Sequence, residues 1–225
     1  MYKLILFDID GTLITTGGVG SQAFSRTLNT LYKIQDDLSD VSFCGRTDLQ
    51  IIHEVFQRHD EKLTKKNIQT FIDTYVFWLD HLLAQSDVIT CPGVWKFLEG
   101  LQALDEPPLV GLLTGNIPLG AEIKLRQFRL WEWFQVGACG SDHEDRKQLA
   151  VIARDRANQL LGIKLAGPQI LMVGDTPQDI ECARKIRAHT LAVGTGRIPL
   201  KKLKALQPTF AVEHLGRLTA QDLEQ

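Results

Sequence analysis

Short apolar runs that end abruptly in small or polar residues recur along this chain, and they restrict its fold more than any other feature. The five runs are Tyr2 to Phe7, Leu109 to Leu113, Phe134 to Ala138, Ile170 to Val173 and Leu191 to Val193. A continuous apolar run bounded by turn residues is typical of a strand that is buried on both faces of a sheet. Both faces are usually covered in parallel sheets, so the runs predict a parallel arrangement.

Stretches with helical spacing lie between these runs. Apolar residues recur at intervals of three and four at Leu149, Ile152, Ala153, Ala157 and Leu160, and again at Ile180, Ala183 and Ile186. Strands that alternate with helices indicate βαβ units, so the predicted fold class is α/β with a doubly wound, Rossmann-like parallel sheet. Ligands bind beyond the carboxyl ends of the strands in such sheets. The polar residues that end the runs are therefore expected at a binding edge.

The segment between Ile14 and Thr90 differs from the rest because no strand-like run interrupts its helical spacing. We expect residues 15–90 to form an α-helical cap domain, and residues 1–14 and 91–225 to form the α/β core domain. Gly17-Gly18 and Cys91-Pro92-Gly93 are the predicted hinges between them. Alternatively, these helices are ordinary crossovers that pack on the sheet.

The composition excludes several classes of protein. Basic and acidic residues nearly cancel, 25 against 27, so no nucleic-acid partner is expected. No apolar run approaches the roughly 18 residues that span a bilayer, so no membrane partner is expected either. The four cysteines are scattered without a CxxC pair, which favours a reduced, cytoplasmic protein. We expect a monomer or a small homo-oligomer.

Two acidic residues, Asp8 and Asp10, follow the first apolar run with one residue between them. Residues two apart in a strand face the same side, and burying two like charges together is costly unless a cation or a proton intervenes. Mg²⁺ is a hard cation that prefers oxygen ligands and would offset them. Taken alone, the pair is equally compatible with carboxylates that cap a helix or lie exposed in a turn.

Further groups suited to phosphate chemistry follow other runs. Asp175 and Asp179 add two carboxylates, and Thr114-Gly115-Asn116 offers a hydroxyl, a backbone amide and a side-chain amide that can hold phosphate oxygens. Arg146 and Lys147 place positive charge after the third run. Together these groups predict phosphoryl transfer, in which the protein mainly positions groups and neutralises charge.

Through these motifs, in this order and at strand ends, the sequence resembles the haloacid dehalogenase-like (HAD) hydrolase superfamily. The motifs are Asp8-Ile9-Asp10-Gly11-Thr12, Leu113-Thr114-Gly115-Asn116, a basic residue at Arg146 or Lys147, and Gly174-Asp175-Thr176-Pro177-Gln178-Asp179. The predicted helical insert is similar to the α-helical cap of the family. Gly45-Arg46-Thr47-Asp48 and the stretch from Gly140 to Arg146 further resemble the phosphoglycolate-phosphatase-like branch. The Lys-Pro pair of many relatives is missing here, so Arg146 and Lys147 both remain candidates, with Arg146 favoured.

The resemblance implies a role for each acidic residue. Asp8 would attack phosphorus and form an aspartyl-phosphate, and Asp10 would protonate the leaving oxygen and then deprotonate the incoming water. The cofactor would be Mg²⁺, held by the carboxylates of Asp8 and Asp175 and by the backbone carbonyl of Asp10. Asp179 would lie one shell further out and orient the basic group or a metal-bound water.

The resemblance also implies how the substrate is held. Thr114 and the basic residue would bind the phosphoryl oxygens. Other residues expected at phosphate or substrate are Gly11, Thr12, Gly115, Asn116 and, from the cap, Arg46. Arg46 could pair with a substrate carboxylate or a second phosphate, although a plain surface or cap–core salt bridge explains it at least as well.

The implied function is a Mg²⁺-dependent phosphatase acting on a small phosphorylated metabolite, with phosphoglycolate as the leading substrate. A phosphomutase of the β-phosphoglucomutase type would use the same residues. A haloacid dehalogenase would need no metal and has no use for Asp10. An alternative of another class is a catalytically inactive binding or regulatory protein with this fold, against which the filled motif positions argue.

Overall fold

The computed structural model describes residues 1–223, which form a central sheet with helices on both faces. The strands are β1 (Leu4–Phe7), β2 (Ile14–Thr15), β3 (Ile89–Thr90), β4 (Leu109–Leu113), β5 (Val136–Ala138), β6 (Ile170–Gly174), β7 (His189–Val193) and β8 (Phe210–Val212). The helices are α1 (Val19–Tyr32), α2 (Asp48–Arg58), α3 (Lys65–Leu83), α4 (Val94–Gln102), α5 (Pro118–Arg126), α6 (Arg146–Leu161), α7 (Pro177–Lys185) and α8 (Leu200–Lys204). Short 3-10 helices lie at Trp131–Trp133, Gly167–Gln169, Leu215–Arg217 and Gln221–Leu223.

Six of the strands form one parallel sheet in the order β5-β4-β1-β6-β7-β8. This arrangement confirms the predicted α/β class with a doubly wound parallel sheet. Phe7 at the end of β1 pairs with Leu112 of β4 and with Val173 of β6. The three central strands therefore end at the same level, and the polar residues that follow them meet at one edge.

Several strands begin at other residues than the predicted apolar runs, and two differences have a clear local cause. The run from Phe134 to Ala138 forms a strand only from Val136, because the chain leaves the 3-10 helix at Trp131–Trp133 just before it. The edge strand β8 has only three half-buried residues, too few to give a recognisable apolar run. Leu160, at the end of one predicted apolar stripe, is exposed near the end of α6.

The two faces of the sheet carry separate parts of the core. Ile5 and Phe7 point to one face, where they pack with the buried residues of α4 and α5. Leu4 and Leu6 point to the other face and pack with α6 and α7. Alternation along β1 thus explains why all four of its residues are apolar and buried.

Helices α1 to α3 supply most of a third apolar cluster, which also includes Ile117 just before α5. Phe24, Phe56, Phe71 and Tyr75 lie at its centre, and the rings of Phe24 and Tyr75 are 4.5 Å apart between centroids. The cap domain itself stays a prediction, because α3 packs on α1 and also on α5 of the core. The division at residues 15 and 90 stays a prediction, and the last two residues of the predicted core domain lie outside the described part of the chain.

The helical segment leaves and rejoins the core at one place. Strands β2 and β3 pair antiparallel there, with Ile14 opposite Thr90 and Thr15 opposite Ile89. Gly18 precedes α1 and Gly93 precedes α4, both with positive φ, so the predicted hinges lie beside this pair. Within residues 1–223, no helix has the length and apolar character needed to cross a membrane.

Candidate active site

A cavity of about 370 Å³ lies beyond the carboxyl ends of β1, β4 and β6, beneath the loop that leads into α2. It brings together most of the residues expected from the sequence, namely Asp8, Asp10, Gly11, Arg46, Thr114, Gly115, Asn116, Arg146 and Asp175. Two others, Thr12 and Asp179, are fully buried and contact residues of its wall. Lys147 is not part of this cavity. The level ends of three adjacent strands thus produce the predicted cluster.

Three carboxylates form a tight group at the base of the cavity. One oxygen from each of Asp8, Asp175 and Asp179 lies within 4.8 Å of the others, and all three side chains are buried. Burial raises the pKa of Asp8 and of Asp175 above the ordinary carboxyl value, and the charge of Asp179 raises both further. Without a cation, Asp8 and Asp175 therefore hold protons more tightly than free carboxylates do.

Arg146 supplies the positive charge beside these carboxylates. Its Nη2 atom lies 2.9 Å from Asp8 Oδ1 and 2.7 Å from Asp179 Oδ1, although Arg146 is the first residue of α6 and is itself buried. Its Nε atom is buried and has no hydrogen-bond partner among the described residues. A buried donor without a partner is costly, and Arg146 also lines the cavity, where its positive charge suits a ligand that brings oxygen atoms.

Lys147, the alternative basic residue, points elsewhere. Half of its side chain is exposed, and its Nζ atom lies 3.8 Å from Glu181 on the neighbouring helix α7. Successive helical residues differ in direction by about 100°, so only one of the two can face Asp8. The structure brings Arg146 to the cavity and leaves Lys147 outside it.

Asp179 is held in place by contacts to both of its oxygens. Oδ1 accepts the bond from Arg146, and Oδ2 accepts bonds from the Thr176 backbone N–H at 3.0 Å and the Thr176 hydroxyl at 2.7 Å. Thr176 and Asp179 together form the capping box that begins α7. With both oxygens engaged, Asp179 orients Arg146.

Gly11 and Thr12 position Asp175. The Thr12 hydroxyl donates to Asp175 Oδ1 at 3.2 Å and so does not point into the cavity as the sequence had suggested. Gly11 has a φ of 84°, and a Cβ atom there would lie 2.6 Å from Asp175 Oδ2. Glycine is required at this turn for both reasons. The loop of the first motif therefore packs directly against the fourth.

Asp10 has a partner that the sequence analysis missed. Lys124 of α5 donates to Asp10 Oδ1 at 2.9 Å and Oδ2 at 2.7 Å, and Asn116 Nδ2 donates to Oδ2 at 2.8 Å. Partial burial opposes ionisation of Asp10, but these donors outweigh it and lower its pKa. A signal was present: Lys124 follows the buried Ala121 by three positions, so it occupies an inward-facing site of α5.

The loop before α2 closes directly onto the second motif. Asp48 is buried; its backbone N–H donates to the Gly115 carbonyl and its Oδ2 accepts from the Ile117 N–H, each at 2.8 Å. Burial raises the pKa of Asp48 to about 6. A Cβ atom at Gly115 would lie 1.9 Å from the Arg46 carbonyl oxygen, so this contact requires glycine. The sequence analysis named Asp48 within Gly45-Arg46-Thr47-Asp48 but gave it no role at the site, although Thr47 and Gln50 form a recognisable capping box around it.

Arg46 lines the cavity, but its guanidinium is engaged within the helical segment. It forms an ion pair with Glu54 and donates to the carbonyls of Ser42 and Gln50. This is the internal salt bridge that the sequence left open as an alternative. A contact of Arg46 with substrate stays a prediction.

The residues at the base of the cavity suit a magnesium ion. Mg²⁺ prefers oxygen ligands and is commonly bound through one or two carboxylates. Asp8 and Asp175 are buried with raised pKa values, and the one arginine beside the three carboxylates leaves an excess of negative charge. Asp179 already uses both oxygens, so Asp8 and Asp175 are the side chains suited to hold the ion.

Mg²⁺ is expected to stabilise the protein more at pH 8 than at pH 5.5. The folded-state pKa values of Asp8 and Asp175 are raised, so these two sites bind more protons in the metal-free folded protein than in the unfolded chain above about pH 4, and their contribution to stability falls as pH rises. Mg²⁺ at 100 times its Kd would raise Tm by roughly 5–10 °C, and by less where protons compete. Thermal unfolding with Mg²⁺ or EDTA at both pH values measures this.

Asp48 also titrates in this range, but it is present in both samples and cancels in the difference between Mg²⁺ and EDTA. Asp175→Asn is the matched variant and should lose most of the Mg²⁺ shift at pH 8. An equal shift at both pH values, or a larger one at pH 5.5, would contradict the assignment of Asp8 and Asp175.

Comparison with known proteins agrees with this geometry. The family model described as haloacid dehalogenase-like hydrolase matches residues 5–193, which include all four motifs. The chain therefore belongs to the haloacid dehalogenase-like hydrolase family, as its motifs indicated. Among curated relatives, pyrophosphatase PpaX of Bacillus cereus (strain AH820) is 29% identical over 216 residues, covering 95% of this chain and 93% of the relative. PpaX of Bacillus thuringiensis (strain Al Hakam) is 28% identical with the same coverage.

Solved structures share the fold. A predicted phosphoglycolate phosphatase from Haemophilus somnus 129pt aligns with a TM-score of 0.74 and 19% identity, covering 100% of this chain and 98% of that one. CbbY from Rhodobacter sphaeroides in complex with phosphate aligns with a TM-score of 0.68 and 19% identity, covering 88% and 89%. At this identity the likeness establishes a common architecture and leaves the substrate open.

Proposed function

We propose that this chain, a phosphatase of the haloacid dehalogenase-like hydrolase family, hydrolyses a small phosphorylated metabolite with the help of Mg²⁺. The observation that carries the proposal is the position of Arg146, which lines the cavity and forms an ion pair with Asp8 at its base. The names of the Bacillus relatives and of the structural neighbours support a phosphatase. A cavity of about 370 Å³ suits a small substrate.

Asp8 is the nucleophile in the first step. One carboxylate oxygen forms a bond to phosphorus while the bond between phosphorus and the leaving oxygen breaks, and Asp10 gives a proton to that oxygen. Arg146 and the hydroxyl of Thr114 stabilise the charge on the remaining phosphoryl oxygens. Lys124 favours the ionised form of Asp10, but an arriving phosphate dianion raises the pKa of Asp10 again and supports its role as the acid.

The second step releases phosphate. Asp10, now ionised, takes a proton from water; the water oxygen forms a bond to phosphorus, and the bond from phosphorus to Asp8 breaks. Inorganic phosphate leaves and Asp8 is regenerated. Asp179 keeps Arg146 in place throughout, because its own oxygens are fixed by Thr176 at the start of α7. Mg²⁺, held by Asp8, Asp175 and the Asp10 backbone carbonyl, would supply further neutralisation of the phosphoryl charge.

Phosphoglycolate is the leading candidate substrate. Pyrophosphate is a second candidate because the Bacillus relatives are named pyrophosphatase. Both carry a second anionic group beside the phosphoryl group. Arg46, from the loop before α2, and Arg197, from the loop after β7, both line the cavity. Arg197 would meet such a group, and Arg46 would do so on leaving Glu54. Ile51 and Tyr75 make part of the cavity wall apolar, which favours phosphoglycolate, with its methylene group, over pyrophosphate.

Purified protein is expected to release phosphate from a small phosphomonoester or from pyrophosphate with Mg²⁺, and to lose this activity with EDTA. A panel containing phosphoglycolate, pyrophosphate, sugar phosphates and p-nitrophenyl phosphate, read by phosphate release, ranks the substrates. Isomerisation of a sugar phosphate without phosphate release would indicate a phosphomutase. Full activity in EDTA would contradict the mechanism, and no turnover of any compound would favour a binding protein.

A further inference from the structure

Lys124 carries a buried ammonium group next to the reacting centre. Its exposed fraction is 4%, and its Nζ atom donates to three oxygens: both carboxylate oxygens of Asp10 and Asn116 Oδ1, the last at 2.6 Å. Burying an ammonium group is costly, and a lysine is seldom fully buried unless it is paired. Asp10 and Asn116 therefore provide the acceptors that this buried ammonium group needs.

The ammonium group fixes the orientation of the Asn116 amide. Lysine can only donate hydrogen bonds, so the atom of Asn116 that faces Nζ must be the carbonyl oxygen Oδ1. The Nδ2 atom is thereby turned to the other side. There it donates to Asp10 Oδ2 at 2.8 Å and to Thr114 Oγ1 at 2.8 Å. Lysine at this position thus decides which end of the amide meets Thr114.

The amide in turn fixes the hydroxyl of Thr114. Thr114 Oγ1 accepts from the Asn116 side chain and, at 3.2 Å, from the Asn116 backbone N–H. A hydroxyl offers two acceptor positions and one hydrogen, so both acceptor positions are used. Within the described part of the chain, Thr114 Oγ1 donates no hydrogen bond. Thr114 also lines the cavity, so its hydrogen remains available to an oxygen of a ligand there.

We propose that Lys124 is a positioning residue that acts through Asn116 to aim the Thr114 hydroxyl at the phosphoryl group. It also keeps the carboxylate of Asp10 beside the same amide. Lys124 therefore positions both the acid–base residue Asp10 and the Thr114 hydroxyl that donates a hydrogen bond to the phosphoryl group. The proposal rests on the proposed function only in that the group received at Thr114 is a phosphoryl group. We call the chain of hydrogen bonds from Lys124 through Asn116 to Thr114 the relay. It depends only on the direction of these hydrogen bonds.

Three variants test the relay. Lys124→Met keeps the length of the stem and removes the donor, so the amide can turn and kcat/KM should fall roughly 100-fold, as misplacement of a reacting group does. Lys124→Arg keeps a donor facing Oδ1 and should recover part of that loss. Asn116→Asp keeps the partner of Lys124 but cannot donate, so the Thr114 hydroxyl donates to the new carboxylate and loses its hydrogen for the ligand. Lys96→Met, at an exposed position of α4, is the control and should match wild type.

A double variant separates the relay from a purely structural ion pair. Thr114→Val removes the hydroxyl with little change of shape. If Lys124 acts through that hydroxyl, Lys124→Met should cost much less in the Thr114→Val background than in wild type. Equal fold-losses in both backgrounds, or a lower Tm for Lys124→Met without a change in kcat/KM, would overturn the proposal.

A binding measurement distinguishes failure of the relay from failure of the proposed function. Inorganic phosphate with Mg²⁺ should raise the Tm of wild type, and this rise should shrink clearly in Lys124→Met and Asn116→Asp but persist in Lys124→Arg. An unchanged rise in all three variants would refute the relay even if wild type hydrolysed every test compound. Conversely, a rise lost only in the predicted variants would support the relay even if no compound were turned over.

Discussion

Replacement of Asp8 by asparagine is expected to lower kcat for p-nitrophenyl phosphate on the order of 10⁴-fold or more in the presence of Mg²⁺. The amide has nearly the same shape as the carboxylate, but its oxygen carries no charge and forms no stable bond to phosphorus. Asp8 lies at the base of the cavity, and its Oδ1 atom is 2.9 Å from Arg146 Nη2. Steady-state phosphate release measures the loss.

The same variant is expected to be more stable than wild type when metal is absent. Burial and neighbouring charge raise the pKa of Asp8, which means that its ionised form is disfavoured in the folded protein. Removing that charge should therefore raise Tm in EDTA at pH 8, so loss of turnover would not reflect loss of fold. Asp105→Asn, at an exposed position outside the cavity, should change neither quantity. Turnover by Asp8→Asn at the wild-type rate would show that Asp8 is not the nucleophile.

The sheet and its binding edge were predictable because burial on both faces leaves a plain mark on the sequence. Each central strand is a short apolar run, and a run of this kind ends where a side chain such as Asp8 or Thr114 requires polar surroundings. Ligands bind at the carboxyl edge of a parallel sheet, so these ends also indicated where the site lies. Strand β8 escaped prediction because its three residues are only half-buried.

The partners of the acidic residues were less predictable, because they depend on how helices dock. Lys124 is 114 residues from Asp10 in the sequence, and lysine is common on helix surfaces. Only its spacing from the buried Ala121 distinguishes it from an exposed residue. The contact of Asp48 with Ile117 depends likewise on how the helical segment closes over the core, which local sequence does not specify.

The choice between Arg146 and Lys147 could not be predicted for the same reason, because it also depends on how a helix packs. The two are adjacent in sequence, and both are basic and suitably placed after β5. Which of them faces Asp8 depends on the rotation of α6 about its own axis. That rotation is set by the packing of Leu149, Ala150 and Ala153 against the sheet. The four-residue spacing of Arg146 from Ala150 places it on the same buried face.

Arg146→Met is accordingly expected to lower kcat/KM by roughly 10²–10³-fold, whereas Lys147→Met should remain within about twofold of wild type. Arg146 is buried at the base of the cavity beside Asp8, where charge develops during transfer. Lys147 is half-exposed and 3.8 Å from Glu181. Kinetics of the two variants under identical Mg²⁺ and substrate conditions decide between them, and the reverse order would assign the basic role to Lys147.

The thermal stability of the Arg146 variants tests the same assignment independently of kinetics. Arg146→Met leaves the fully buried Asp179 without its ion-pair partner, and removing one partner of a buried pair costs about 3–5 kcal/mol. Tm should therefore drop sharply in EDTA. Mg²⁺ should restore part of the loss, because it offsets the charges of Asp8 and Asp175 but does not replace the contact to Asp179. Arg146→Lys should fall between, since an ammonium group keeps the charge but lacks the reach and planarity of the guanidinium that touches Asp8 and Asp179 together.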